Sequence, residues 1–234
     1  IMGATVDDHS ACYKPAEIKN FLSRTLSVPE HGVKKMLTAM DPNGGGAGSD
    51  AALITLCLVR NNLCVLAVSA GAVRGYDAIS ELVCSHLTFV GRTYPNAQNV
   101  LAVENNLGNE ASWVAAEVRR KKLHNVLIAH EKAEQSGVRT TAPRKALYVG
   151  ELQRYLCTNS IGLAPKMRWL AEASPEKLEG QLCCFKRISR TNKVGTVSQH
   201  FTGKGSGPDD LALTLSLGAY WLLQYHQRLL LAER

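Results

Sequence analysis

Apolar positions in the first third of the chain fall into three runs: Lys34 to Asp41, Ala51 to Val59 and Leu63 to Val68. The first run ends in a carboxylate and opens into Pro42-Asn43-Gly44-Gly45-Gly46-Ala47-Gly48-Ser49-Asp50, and Asn61-Asn62 lies between the other two. Asparagine tolerates the positive φ that a two-residue primed turn requires. The pattern therefore predicts a three-stranded antiparallel meander of buried strands, with Asp41 at an exposed strand end.

The period changes after Gly75. Ile79, Leu82, Val83, His86 and Leu87 recur at helical spacing as far as about Phe89, which predicts a helix across one face of the sheet. Asn99-Val100-Leu101-Ala102-Val103 is a short strand that again terminates in an acid, Glu104. Asn109 or Ser112 then caps a helix to about Lys122 with Trp113, Ala116 and Val118 inward, and Asn125 to Ala129 returns as a strand. Strand, helix, strand at this spacing makes a parallel unit.

Residues 130 to 145 are polar and basic and predict a long loop before a helix from about Ala146 to Thr158. Leu182 to Arg190 and Lys193 to Ser198, on either side of Thr191-Asn192, predict a β-hairpin with a cationic tip. The last element starts at Lys204-Gly205-Ser206-Gly207-Pro208-Asp209-Asp210. It has cap candidates in Ser206 and Gly207, Pro208 in its first turn and acids that suit the helix dipole. From Leu211 to Leu223 it is apolar almost all round, which predicts a buried helix. Residues 1–32 form a lead-in or linker with one amphipathic stretch, Pro15 to Leu26; residues 33–234 form one α/β domain.

Composition narrows the class. With 234 residues, 45% of them apolar, the chain can bury one good core, and 27 Lys and Arg against 20 Asp and Glu give +7, which favours a polyanionic partner. Seven cysteines, an odd count with no Cys-x-x-Cys, argue against a disulfide framework or a zinc cluster and for reduced thiols in a reducing, aqueous compartment. His9 and Cys12 stand at helical spacing, but a metal there would need two further ligands. No apolar run is long enough to span a membrane, and the N-terminus has no signal-peptide pattern.

The glycine-rich loop fits a flexible connection between two strands better than a phosphate cradle. A Walker loop ends in Gly-Lys-Ser/Thr and a dinucleotide fingerprint opens a helix, whereas this loop opens a strand. Cations collect at Arg119-Arg120-Lys121-Lys122, at Arg139, Arg144 and Lys145, and on the hairpin at Lys186, Arg187, Arg190 and Lys193. Four adjacent cations exceed what capping a helix C-terminus needs, and all three groups are candidate nucleic-acid contacts.

Three acidic positions thus end or head predicted elements: Asp41, Glu104 and the pair Asp209-Asp210. This arrangement resembles the ribonuclease H and integrase-like nucleases. Within them it is similar to the nuclease domain of the herpesvirus DNA-packaging terminase large subunit, on Met40-Asp41-Pro42 with its glycines, Leu101-Ala102-Val103-Glu104-Asn105-Asn106, and Thr202-Gly203-Lys204 with Pro208-Asp209-Asp210-Leu211-Ala212-Leu213. The resemblance runs from about residue 33 to 225. It implies a ribonuclease H-like mixed sheet, an antiparallel meander plus parallel strands with helices on both faces and a basic hairpin.

It further implies a metal-dependent endonuclease that cuts concatemeric double-stranded DNA during genome packaging, with little sequence specificity. Asp41, Glu104, Asp209 and Asp210 would be the catalytic and metal-binding acids for two Mg2+ or Mn2+ ions. Of the adjacent pair, Asp209 matches the family's ligand, with Asp210 acting through water or as a cap. Other terminase subunits and the capsid portal would be partners, and the host cell nucleus the location. The chain lacks a counterpart of the family's ATPase half, which implies an excised domain. A Holliday-junction resolvase-like nuclease and a noncatalytic nucleic-acid-binding module are the alternatives.

Overall fold

The computed structural model describes residues 6–29, 32–42, 50–73, 75–106, 109–123, 125–132, 135–191, 197–203 and 209–232. In chain order the elements are β1 (Val6–Ala11), α1 (Pro15–Ser23), β2 (Lys35–Asp41), β3 (Ala51–Val59), β4 (Asn62–Gly71), α2 (Tyr76–Thr93), β5 (Gln98–Val103), α3 (Glu110–Arg120), β6 (Val126–Ile128), β7 (His130–Lys132), β8 (Gln135–Ser136), α4 (Ala142–Cys157), β9 (Ile161–Ala171), α5 (Pro175–Cys184), β10 (Lys186–Thr191), β11 (Val197–Thr202) and α6 (Asp210–Ala232).

The main sheet has the order β6-β5-β2-β3-β4-β9. β2, β3 and β4 are the antiparallel meander; β5 runs parallel to β2, β6 to β5 and β9 to β4. A second sheet, β1-β10-β11, contains the basic hairpin, and β7-β8 is a two-stranded ribbon.

Side chains alternate across a strand, and this alternation sorts the core. Leu37 and Ala39 of β2, and Ala52, Ile54 and Leu56 of β3, pack in one cluster with Leu211, Ala212, Leu215 and Ala219 of α6. Met40, Ala51 and Leu53 pack on the opposite face with Val83 and Leu87 of α2 and Val114 of α3. Residues 211–219 of α6 are all buried, as an all-round apolar helix demands. At Gly218 the helix comes so near the sheet that an added Cβ would lie 2.6 Å from Leu56 Cδ1. Each Leu so buried contributes about 1.5–3 kcal/mol.

A polar chain crosses the α2 face. Asn99, Thr38, Thr55, His86 and Ser69 are linked in series, with Thr38 Oγ1 to Asn99 Oδ1 at 3.0 Å and Thr38 Oγ1 to Thr55 Oγ1 at 2.7 Å. Thr55 Oγ1 lies 2.7 Å from His86 Nε2, and Ser69 Oγ 2.6 Å from His86 Nδ1. Burial drives the His86 imidazole down to about 3, so it is neutral and satisfied by hydroxyls.

Several local expectations are corrected. The meander turn is centred on Arg60 and Asn61, whose φ values are 48° and 67°, one residue earlier than Asn61-Asn62, and Val59 pairs with Asn62. Residues 130–145 are not one loop: they contain β7, β8 and the start of α4, whose first turn takes Pro143. Ala116 is exposed, and Ala111, Val114, Ala115 and Val118 form the buried stripe of α3. Leu182–Cys184 belong to α5, so the hairpin begins at Lys186; of the expected Thr191-Asn192 turn, Thr191 still belongs to β10 and Asn192 lies outside the described residues.

Among its described residues, the segment read as a lead-in carries β1 and α1. β1 pairs antiparallel with β10, and Tyr13, Ile18 and Phe21 are buried in the main core. His9 sits in a strand rather than a helix, so its spacing to Cys12 is not helical. The seven cysteines are free, with Cys12, Cys57 and Cys64 buried but Cys157 exposed. A contact with Cys64, then burial, raises the Cys57 thiol.

Candidate active site at the carboxylate end of the sheet

Backbone register alone assembles one end of the sheet. Met40 of β2 pairs with Val103 of β5, and the Glu104 amide donates to Met40 O at 2.8 Å, so Asp41 and Glu104 leave adjacent parallel strands side by side. Asp41 pairs with Ala52 of β3, Ala52 with Ala70 of β4, and Ala70 with Ala171 of β9, whose successor Glu172 donates its amide to Ala70 O at 2.9 Å. The end therefore carries Asp41, Asp50, Glu104 and Glu172.

Alternation then chooses the face. Asp41 continues the series Leu37, Ala39, and Glu104 follows Val100 and Ala102, so each stands on the face covered by α6. Asp50 lies in the same series as Ala52 and Ile54. Its amide donates to Asp210 Oδ2 at 2.9 Å and so brings the head of α6 to this edge.

The individual carboxylates are held by protein donors. Asn106 Nδ2 donates to Glu104 Oε1 at 2.7 Å, and Glu104 itself is 7% exposed and bridged in parallel to Val138. Asp209 precedes α6: its carbonyl accepts from the Leu213 amide, and its Oδ2 accepts from the Gly203 amide at 2.9 Å at the foot of β11. Asp210, 6% exposed, is the first helical residue; Pro208, expected in the first turn, lies outside the described residues. Burial raises the Asp210 carboxyl above its usual range, the Asp50 amide opposes that shift, and the charges of Asp209 and Asp50 add to it.

Hard carboxylate oxygens are the ligands that Mg2+ and Mn2+ take, and this end of the sheet is rich in them, so the donor set fits such ions. In their present rotamers, no three His, Cys, Asp or Glu side chains among the described residues stand together as a ready-made ion site.

The cations divide into two populations. Arg139 is exposed one residue after Val138, its amide donating to Glu131 Oε2 at 3.0 Å. Arg144 pairs with Glu131 and donates to Arg139 O at 2.9 Å, and Lys145 follows it in the first turns of α4. Lys186 pairs in register with Thr202, beside Gly203 and hence near Asp209, and Arg187 is exposed on β10. The side chain of Arg190 and all of Lys193 lie outside the described residues. Arg139, Arg144, Lys145, Lys186 and Arg187 flank the carboxylate end.

Arg119, Arg120, Lys121 and Lys122 do not. They sit at the C-terminal end of α3, which runs back to the N-terminal ends of β5 and β6, a strand length of about 20 Å from Glu104. Arg120 is also paired with Glu117, which the guanidinium holds down to about 2.

Asp50, Glu172 and Lys177 escaped the sequence reading. Asp50 was visible only as the end of a glycine-rich loop. Lys177, in the first turn of α5, places its ammonium 2.5 Å from Asp50 Oδ2 and 3.9 Å from Glu172 Oε2. A cation at that helical position, where the dipole disfavours it, was the available signal.

No family model matches the chain, and no curated protein matches it in sequence. Solved structures do. The human cytomegalovirus terminase nuclease domain, manganese-soaked with an inhibitor bound, superposes with a TM-score of 0.69 at 16% identity, covering 90% of this chain and 95% of that one. The manganese-soaked domain gives 0.64 at 16% identity, over 89% and 94%. The large terminase of a thermophilic bacteriophage gives 0.56 at 10% identity over 92% of this chain, which spans 45% of the phage protein. Six mixed strands with helices on both faces, matched along nine-tenths of the chain, give it the ribonuclease H-like fold of the terminase nuclease domains.

Proposed function

We propose that this chain is the divalent-metal-dependent endonuclease domain of a viral terminase, cutting concatemeric double-stranded DNA during packaging with little sequence preference. The observation that carries the reading is the convergence of Asp41, Glu104 and the Asp209-Asp210 head of α6 on one end and one face of the sheet. The likeness to terminase nuclease domains supports it.

Asp41, Glu104, Asp209 and Asp210 would hold two Mg2+ or Mn2+ ions, a reading in keeping with the manganese soak of the cytomegalovirus domain the chain resembles. Two such ions, when bound, activate a water and stabilise the leaving oxygen of a phosphodiester. The chain's own groups set the stage. Asn106 keeps Glu104 in place, the Asp50 amide keeps Asp210 in place, and Arg139, Arg144, Lys145, Lys186 and Arg187 offer charge to the phosphates on either side, with Arg190 and Lys193 as further DNA contacts by resemblance alone. Arg119 to Lys122, a strand length away, would meet a more distant stretch of the same duplex. Terminase subunits and the portal would be partners, in a host nucleus.

The test is cleavage of supercoiled plasmid in manganese, with and without chelator, by the wild-type chain, Asp41→Ala and Glu104→Ala. Chelator-sensitive cleavage lost in each folded variant is the expected result. Full cleavage by either variant removes the acid site, binding without cleavage makes the chain a noncatalytic module, and preference for four-way junctions makes it a resolvase.

A further inference from the structure

Ser174 caps α5, its hydroxyl accepting from the Lys177 amide at 3.1 Å, and this places Lys177 in the first turn. A cation there opposes the helix dipole, so what holds the ammonium must lie beyond the helix. It lies in the carboxylates: Asp50 Oδ2 at 2.5 Å and Glu172 Oε2 at 3.9 Å. The Lys177 and Asp50 side chains are only 26% and 12% exposed, so the pair is shielded from much of the solvent screening that weakens surface ion pairs. Asp50 in turn fastens Asp210 through its amide. One lysine thus neutralises a crowded acidic edge whose members would otherwise repel each other.

We propose that Lys177 is the internal counter-ion of the carboxylate end: in the metal-free protein it holds Asp50, and through Asp50 the head of α6, and it releases Asp50 when a divalent cation arrives. The proposal rests on the metal-dependent reading above and deepens it. Lys177 is a positioning residue, acting through Asp50, and the ammonium and the divalent ions compete to neutralise the same acidic edge. Such coupling is reciprocal, so whatever the lysine contributes to the metal-free fold it subtracts from metal affinity.

The experiment compares wild type, Lys177→Met, Lys177→Gln and Lys177→Arg by calorimetric titration with Mn2+ and by thermal melting with and without Mn2+. Met and Gln variants should melt a few degrees lower than wild type in chelator, about 2–4 °C, and match it in saturating Mn2+. They should bind Mn2+ roughly tenfold more tightly. Lys177→Arg should behave as wild type, and Asp50→Asn should abolish the difference between Lys177 and its variants. Equal Mn2+ affinity in all chains, with the same melting deficit in chelator and in Mn2+, overturns the counter-ion and leaves the nuclease reading standing. Absence of Mn2+ binding in wild type and variants alike overturns the nuclease reading and the counter-ion together.

Discussion

Asn106 Nδ2 donates to Glu104 Oε1 at 2.7 Å while Asn106 Oδ1 accepts from the Thr140 amide at 2.9 Å, so one side chain ties the acid at the end of β5 to the segment bearing Arg139 and Arg144. Partners that orient a ligating group typically cost 10–100-fold in metal affinity or activity when removed. Asn106→Ala should therefore lower cleavage by roughly 10–100-fold with little change in melting temperature. Plasmid cleavage at saturating Mn2+ checks this; wild-type rates would release Glu104 from any dependence on Asn106.

The adjacent acids of α6 should separate by role. Asp209→Asn should abolish cleavage while the fold survives, whereas Asp210→Asn, which keeps an oxygen for the Asp50 amide, should only reduce it. Asp210→Ala leaves that buried amide without its acceptor and should destabilise the chain by about 1–3 kcal/mol. Melting curves read beside cleavage assign the two; an inert Asp210→Asn with an active Asp209→Asn reverses the assignment.

Gly137 is the close-packed neighbour of the Glu104 strand. Its φ is +86°, and a Cβ there would lie 2.8 Å from Val103 O and 2.5 Å from Ala111 Cβ. Gly137→Ala meets left-handed strain of about 1–3 kcal/mol and displaces the backbone that presents Glu104. Loss of stability together with cleavage is expected. An alanine variant with wild-type melting and activity would show that the strand end yields without cost.

His86 predicts an acid-sensitive fold. Its folded value, about 3, lies below the ordinary 6.5, so between those values the unfolded chain binds the extra proton and stability falls as pH falls. The slope from this one group approaches about 1.4 kcal/mol per pH unit inside the window. Urea titrations from pH 7 to 4 should show that slope in wild type and a shallower one in His86→Gln. Parallel slopes would assign the acid limb to other groups.

The sequence by itself determined the elements whose cause is local. Apolar runs punctuated by asparagine and glycine define the meander, acids end two strands and head the last helix, and an apolar surface all round 211–219 requires that helix to be buried. β9 escaped because Pro165 and exposed polar residues interrupt it. The structure accommodates them at a sheet edge, where the register with β4 jumps from Val65↔Leu163 to Ala67↔Arg168. β1 escaped because its pairing partner, β10, lies about 180 residues away and no periodicity reports it.

At the candidate site, residue types were legible and contacts were not. Asp41 and Glu104 stand out because acids ending apolar strands are conspicuous in one dimension. That Asp50 fastens Asp210 across 160 residues, that Lys177 reaches Asp50 from another helix, and that Arg119 to Lys122 lie at the far end of the sheet are decided by strand register and helix direction. Those are properties of the packed chain: loop closure between distant segments is stabilised only once the core between them exists, so only the tertiary structure sets which charges meet.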